Sequence, residues 1–291
     1  MIKMIVCDMD GTLLNSDNKI SSLTLSFLKE CQRKGIILVL ASGRSYPRLK
    51  PYYDLLNMSA YHSYLIEVNG LYINHLKTKQ RERFTAMEKS DAIKIFELTK
   101  DLNLELTAFL DAGLRYYVPE CLIPLKQAYI KENHLPFDFP LTATTWNIVG
   151  DMRDGYPDQY RIFTMDELPK IMNKVVLIQD AEVIEIALER LKNKCSVEFE
   201  FTRSSQRMVE IMKKGVTKGN ALLKIMYDNQ IAKDEVLVFG DGENDYSMFD
   251  VVTHPVIMKN APDYVKKRAK EVSEYDNNED GIYYACLKYI D

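Results

Sequence analysis

The sequence predicts an α/β protein, a parallel sheet wrapped by helices with an α+β module inserted into it. Three observations carry that expectation. Residues 4–7 and 36–41 are unbroken apolar runs, as a strand covered on both faces requires. A helical pattern over residues 21–34 joins them, with Leu23, Phe27, Leu28 and Cys31 on one face and Gly35 as its stop, which makes a βαβ unit. Residues 235–239 repeat the buried-strand signal near the other end, flanked by helical stretches at 218–227 and 261–270.

The middle has a different texture. Alternating segments at 114–118, 174–178 and 197–201 are separated by helical ones such as 181–192, the pattern of a separate α+β module. The expected division is a core of residues 1–84 plus 214–291 and an inserted domain of residues 85–213, with linkers beside residues 74–83 and 214–215.

Composition narrows the partners. Of 291 residues, 46% are hydrophobic, enough to fill a core, and Lys+Arg 38 against Asp+Glu 42 gives a net charge of −4. No global basic field exists to recruit nucleic acid or an anionic membrane, so a small-molecule partner is expected. The cysteines, Cys7, Cys31, Cys121, Cys195 and Cys286, are scattered and never in a C-x-x-C pair, which argues against a disulfide framework or zinc cluster and fits a reducing cytoplasm. Asp8 and Asp10 interrupt any signal-peptide apolar region, and no uncharged apolar run is long enough to span a bilayer, so a cytoplasmic location is expected.

In open parallel sheets ligands gather beyond the carboxyl ends of the strands. Three such ends carry Asp8-Met9-Asp10-Gly11-Thr12, Ser42-Gly43-Arg44 and Gly240-Asp241-Gly242-Glu243-Asn244-Asp245. Two-residue spacing puts Asp8 and Asp10 on one face, where they repel unless a cation or proton lies between them. Hard oxygen donors of this kind suit Mg²⁺. His62, His75, His134 and His254 show no zinc-binding spacing.

Each feature also has a plainer reading. Asp10-Gly11 could be a hairpin turn, and Ser42-Gly43 a strand-to-helix turn with Ser42 as the cap. Residues 241–245 could be a solvated or calcium loop, but an EF-hand beginning at Asp241 needs Gly and Glu where Tyr246 and Val252 stand. Residues 276–281 imitate the first half of such a loop, yet Leu287 occupies the required Glu position, so they are expected to cap the last helix. Lys218, following Gly215-Val216-Thr217 at a helix start, would by default lie on the surface. There it opposes the helix macrodipole, whereas an anion would be stabilised by both.

The motifs D-x-D-G-T-L-L, A-S-G-R, G-V-T-K-G and G-D-x-x-N-D-x-x-M occur in that order. With them the chain resembles the haloacid dehalogenase (HAD) superfamily. It is similar more narrowly to the Cof-type phosphatases with a type IIB cap, since the insertion lies between the Ser42 and Lys218 segments and Asn69-Gly70, Asn260-Ala261 and Glu279-Asp280-Gly281 also match. Val256-Ile257-Met258-Lys259 departs from the usual Gly/Ala-Met pair, which touches only packing or substrate contacts near that loop.

The resemblance implies a Rossmann-like core with a type C2B cap and a Mg²⁺-dependent phosphatase of small phosphorylated metabolites, sugar phosphates among them. It implies Asp8 as nucleophile and Asp10 as acid/base, with Asp8, the Asp10 carbonyl and Asp241 binding the metal and Asp245 supporting it. Ser42, Gly43 and Lys218 would hold the phosphoryl group, with Arg44 and Asn244 in the phosphate-binding set and Asn69 close by. The cap would act as a lid that chooses the leaving group, with Tyr116, Tyr117, Trp146 and Arg161 as contacts if they are not core. Two rivals stand beside this: a phosphotransferase such as a phosphomutase, and a catalytically silent metabolite-binding regulator, against which the intact Asp8, Asp10, Lys218, Asp241 and Asp245 argue.

Overall fold

The apolar run that opens the chain becomes β1 (Met4–Asp8), buried at every position. The computed structural model that shows this describes residues 1–144 and 147–290. Helix α1 (Ser22–Arg33) follows, started by Ser21, whose Oγ accepts from the Thr24 N–H at 3.1 Å. Its buried face is Thr24, Leu28, Cys31 and Gln32. Leu23, expected there, is exposed, because it precedes Thr24 on the stripe by one residue, about 100° around the helix. After β2 (Ile37–Ala41) and α2 (Tyr46–Leu55) come β3 (Tyr64–Glu67), β4 (Tyr72–His75) and β5 (Gln80–Arg83). Much of the stretch expected as a linker at 74–83 is thus strand. β4 pairs antiparallel with β3, and the largely charged, solvent-facing β5 forms the sheet's edge, where such side chains discourage further pairing.

The chain next builds β6 (Met87–Glu88), α3 (Lys89–Thr99), β7 (Glu105–Phe109), β8 (Gly113–Tyr117), α4 (Ile123–Glu132) and β9 (Asp158–Ile162). β10 (Ile171–Met172), β11 (Lys174–Ile178), α5 (Ala181–Cys195), β12 (Phe199–Ser205) and β13 (Met208–Lys213) follow. The last leg is α6 (Lys218–Asp228), β14 (Val236–Gly240), α7 (Tyr246–Phe249), β15 (His254–Ile257), α8 (Asp263–Lys266), β16 (Glu271–Val272) and α9 (Gly281–Cys286). α8 covers only part of the helix expected at 261–270. Val265 is its one buried residue, so tertiary packing gives further turns little support.

Two compact units result, Met1–Phe84 with Val216–Asp291, and Thr85–Gly215. In the first, the sheet order is β16-β15-β14-β1-β2-β3-β4-β5, parallel from β16 to β3, so the core is a mixed sheet extended by an antiparallel hairpin. Successive residues of one strand serve opposite layers: Ile5, Cys7, Leu38, Leu40, Leu237 and Phe239 pack on one face, and Met4, Val6, Val39, Val236 and Val238 on the other. Residues 276–280 form turns before α9, and Asp280 accepts from the hydroxyls of Ser21 and of Thr24, the latter at 2.8 Å, tying this loop to the start of α1.

The second unit has a sheet of order β12-β13-β11-β7-β8-β9, antiparallel except for β8 and β9. One of its apolar clusters includes Ile95 of α3 and Ile184 and Leu188 of α5. Tyr116 is buried in a second cluster, Tyr117 meets Phe96 edge to face at 5.3 Å, and the Arg161 guanidinium lies 4.7 Å from the centre of the Phe163 ring. Trp146 lies outside the described residues. Lys126 and Glu105 form a buried ion pair at 2.6 Å, and Glu105 also accepts from Thr142 Oγ1 at 2.9 Å and the Ala143 N–H at 2.7 Å. Burial pushes the Glu105 carboxyl up, and Lys126 opposes that shift.

Among the described residues no helix is long and apolar enough to cross a membrane. All five cysteines are free thiols.

Removing one member of a buried ion pair strands the other. Lys126→Met should therefore destabilise the protein by about 3–5 kcal/mol in urea unfolding, and a loss below about 1 kcal/mol would show that Glu105 needs no cation.

Candidate active site

Strand register sets the site. Asp8 pairs with Ala41 and Cys7 with Phe239, so β1, β2 and β14 end level along one edge. Asp8 is the last residue of β1, and Ser42 and Asp241 are the first beyond β2 and β14. The Asp10-Gly11 turn does not join two ladder strands. It folds back on the end of β1, with the Leu13 N–H donating to the Asp8 carbonyl at 3.2 Å. Gly11 sits at φ +77°, and a Cβ there would stand 2.5 Å from Asp241 Oδ2, so both conformation and space require glycine. Thr12 Oγ1 donates to Asp241 Oδ1 at 2.8 Å, and Asn260 Nδ2 donates to the Gly11 carbonyl at 2.7 Å.

Thr217 caps α6 by accepting from the Asn220 N–H, which makes Lys218 the first helical residue. Its side chain is buried, and Nζ donates to Asp8 Oδ1 at 2.5 Å and Asp245 Oδ1 at 2.7 Å. Asp245 Oδ2 accepts the backbone N–H groups of Asp241 and Gly242, each at 3.0 Å. Burial acts against the Lys218 charge, but Asp245 and Asp8 outweigh it and hold the ammonium protonated. Burial, and then the charges of Asp245 and Asp241, push the Asp8 carboxyl well up against the pull of Lys218. Asp241 is pushed up to about 7 by burial and by Asp245, with the Thr12 hydroxyl opposing.

Asp8, Asp241 and Asp245 each offer an oxygen within 4.8 Å of the others. Fully ionised, three carboxylates against one ammonium would leave two negative charges in a largely buried space, and the raised carboxyls show how unfavourable that state is without a cation. The donors are all hard oxygens, so the residues fit a divalent cation of the Mg²⁺ kind.

The second loop is braced by the third strand. Ser42 is buried and its Oγ accepts the Arg44 N–H at 3.1 Å, while the carbonyls of Ser42 and Arg44 accept the N–H groups of Asn69 at 2.9 Å and Val68 at 3.1 Å. Asn69 adopts φ +53°, and its Oδ1 accepts from Asn244 Nδ2 at 3.2 Å and lies 3.2 Å from where a Cβ on Gly43 would be. Gly70 is held at φ +106°, where a Cβ would stand 2.2 Å from the Thr217 carbonyl oxygen. Buried Glu67 receives the Tyr46 N–H at 2.8 Å, the Arg81 fork at 3.2 and 3.1 Å, and the Asn74 amide.

The sequence-predicted residues thus fall into three groups. Asp8, Lys218, Asp241 and Asp245 form the buried cluster; Ser42, Gly43 and Asn244 gather around Asn69; Asp10 and Arg44 pair with each other, Nε donating to Oδ2 at 2.9 Å. Thr12 and Glu67 are the contributors that sequence reasoning missed. The D-G-T run offered a cue for Thr12, whereas nothing local distinguishes Glu67.

The carboxylate cluster lies at the carboxyl edge of a parallel sheet, where open α/β sheets place their ligand sites. The chain matches the haloacid dehalogenase-like hydrolases over residues 5–286 and belongs to that family. It is 26% identical to the 5-amino-6-(5-phospho-D-ribitylamino)uracil phosphatase YwtE of Bacillus subtilis, over 97% of this chain and 96% of that protein. It is also 26% identical to the HMP-PP phosphatase of Yersinia pseudotuberculosis, over 94% and 89%. The fold superposes on a HAD subclass IIB sugar phosphatase with TM-score 0.73 at 20% identity, covering 99% of this chain and 98% of the other. The protein is therefore an enzyme, a hydrolase, and the two relatives just named are phosphatases.

The raised Asp241 group has a signature in the metal-free protein. A folded pKa of about 7 against an ordinary 3.8 means stability is lost as pH rises between those values. Asp241→Asn should raise the melting temperature more at pH 8 than at pH 5, and added Mg²⁺ should stabilise only the parent. An equal gain at both pH values would contradict the assignment.

Proposed function

We propose that the chain is a Mg²⁺-dependent phosphatase of small phosphorylated metabolites that works through a phosphorylated Asp8. The observation that carries this reading is the buried Lys218 ammonium bridging Asp8 and Asp245 beside Asp241. A monoester carries about −1.5 to −2 charges near neutral pH, so a carboxylate can approach its phosphorus only where positive charge is already in place.

Asp8, Asp241 and the Asp10 carbonyl would hold Mg²⁺, with Asp245 supporting them. Bound there, the ion supplies charge neutralisation for the phosphoryl oxygens. Lys218, the Ser42 hydroxyl and the Gly43 backbone N–H orient those oxygens, with Asn244 steadying the loop through Asn69.

An Asp8 carboxylate oxygen attacks phosphorus while the ester P–O bond breaks, and Asp10 gives its proton to the departing alkoxide. Water then attacks the phosphorus, passing a proton to Asp10, and the bond to Asp8 breaks to release inorganic phosphate and restore the carboxylate. Substrates of the size that the two named phosphatases imply fit this chemistry, and the inserted unit Thr85–Gly215 would select among their leaving groups.

The test is a panel of phosphate esters with purified protein. Phosphate release should require Mg²⁺, occur without an added acceptor and vanish on chelation; transfer only to an added alcohol would instead indicate a phosphotransferase. Asp8→Asn should prevent phosphoenzyme formation. Asp10→Asn should keep metal binding while slowing turnover by about 10²- to 10⁴-fold. Phosphate trapped on Asp10 rather than Asp8 would overturn the reading.

A further inference from the structure

The Arg44 guanidinium is engaged by its neighbours. Nε donates to Asp10 Oδ2 at 2.9 Å and Nη2 donates to Asp10 Oδ1, a two-bond fork that fixes the plane of the carboxylate. Nη1 donates to Tyr52 Oη at 3.3 Å, Nη2 also reaches Asn18 Oδ1 at 3.4 Å, and Tyr52 Oη donates in turn to the Asn18 carbonyl at 3.3 Å. The guanidinium carbon lies 5.5 Å from the centre of the Tyr52 ring. The Arg44 side chain is only 15% exposed, whereas Asp10 is 58% exposed and has no comparable packing of its own. The backbone of Arg44 is equally fixed, through the Ser42 hydroxyl and the Val68 N–H.

We propose that Arg44 is a positioning residue that aims the Asp10 carboxyl at the leaving-group oxygen, braced from behind by Tyr52 and Asn18, and that it does not bind the phosphoryl group. This rests on the phosphatase reading above. An exposed aspartate turns freely about two side-chain bonds, and proton transfer needs it within hydrogen-bond reach of one particular oxygen. The planar fork supplies that aim while using one lone pair on each oxygen, and the proton that Asp10 delivers is carried on a remaining lone pair. Lysine at the same position would supply charge without the fork.

The experiment compares esters that differ in their need for a proton. In p-nitrophenyl phosphate the phenolate departs unassisted, whereas the alkoxides of β-glycerophosphate and glucose 6-phosphate must be protonated. In single turnovers, Arg44→Ala should slow phosphorylation by the alkyl esters about 10- to 100-fold, yet slow the p-nitrophenolate burst by less than about three-fold. KM, inhibition by inorganic phosphate and Mg²⁺ affinity should stay within about three-fold of the parent. Arg44→Lys should recover little of the loss, and Tyr52→Phe, which keeps the ring, should reproduce the same ester dependence more weakly.

Equal slowing of both ester types with KM and phosphate inhibition weakened about ten-fold would assign Arg44 to the phosphoryl group and overturn the proposal. If Arg44→Ala does not fold, Arg44→Lys and Tyr52→Phe decide by the same criterion. A parent that hydrolyses none of the three esters would remove the phosphatase reading and this proposal with it; a parent that hydrolyses them, with variants blind to the leaving group, would remove this proposal alone.

Discussion

A single buried ammonium holds the site together. Lys218 lies at the amino end of α6, where the helix dipole disfavours a cation and burial disfavours any charge. Its bonds to Asp8 and Asp245 offset both costs, and in doing so they tie a helix start to a strand end 210 positions before it and to a loop 27 positions after it. Without the ammonium, two buried carboxylates would face each other with no partner between them. The central placement of β1 between β2 and β14 brings these elements to the same edge.

Around that pair the loops are fixed by bonds that leave little to rearrange. Asp245 collects two backbone N–H groups from its own loop, Thr12 steadies Asp241, and Asn69 in its left-handed conformation joins the Ser42 loop to Asn244. Donors held this way are oriented before any ligand arrives, which is where electrostatic sites gain most over water. Asp10 differs. It lies at the exposed margin of this rigid cluster and takes its orientation from one guanidinium.

Much of the core was legible because the clustered carboxylates sit at the ends of strands whose apolar runs are unmistakable. Asp8 ends a buried strand, and Ser42 and Asp241 each follow one, so position and residue type pointed the same way. Errors arose where local pattern and tertiary context part. Gln80-Arg81-Glu82-Arg83 looks like a polar linker because an edge strand exposes its side chains and gains its order from backbone pairing. The stretch at 261–270 has helical composition but buries too little to extend past Lys266. Glu67 and the Arg44 fork were illegible for another reason: each depends on partners distant in sequence, Arg81 and Asn74 for one, Asp10 and Tyr52 for the other, and no periodicity records such pairs.

The discontinuous core also sets a timetable. β1 must leave the ribosome long before β14, its neighbour in the sheet, because Met4 pairs with Val236. At about 5–20 residues per second the wait is on the order of ten to fifty seconds. Throughout it one edge of β1 lacks its proper strand, and Asp8 lacks both the ammonium and the carboxylates that surround it in the finished fold. Thr85–Gly215, a compact unit whose sheet draws only on its own strands, emerges in full during the same interval. A nascent fragment that stops short of residue 245 therefore carries the opening carboxylates without the full set of charges that surrounds Asp8 in the finished fold.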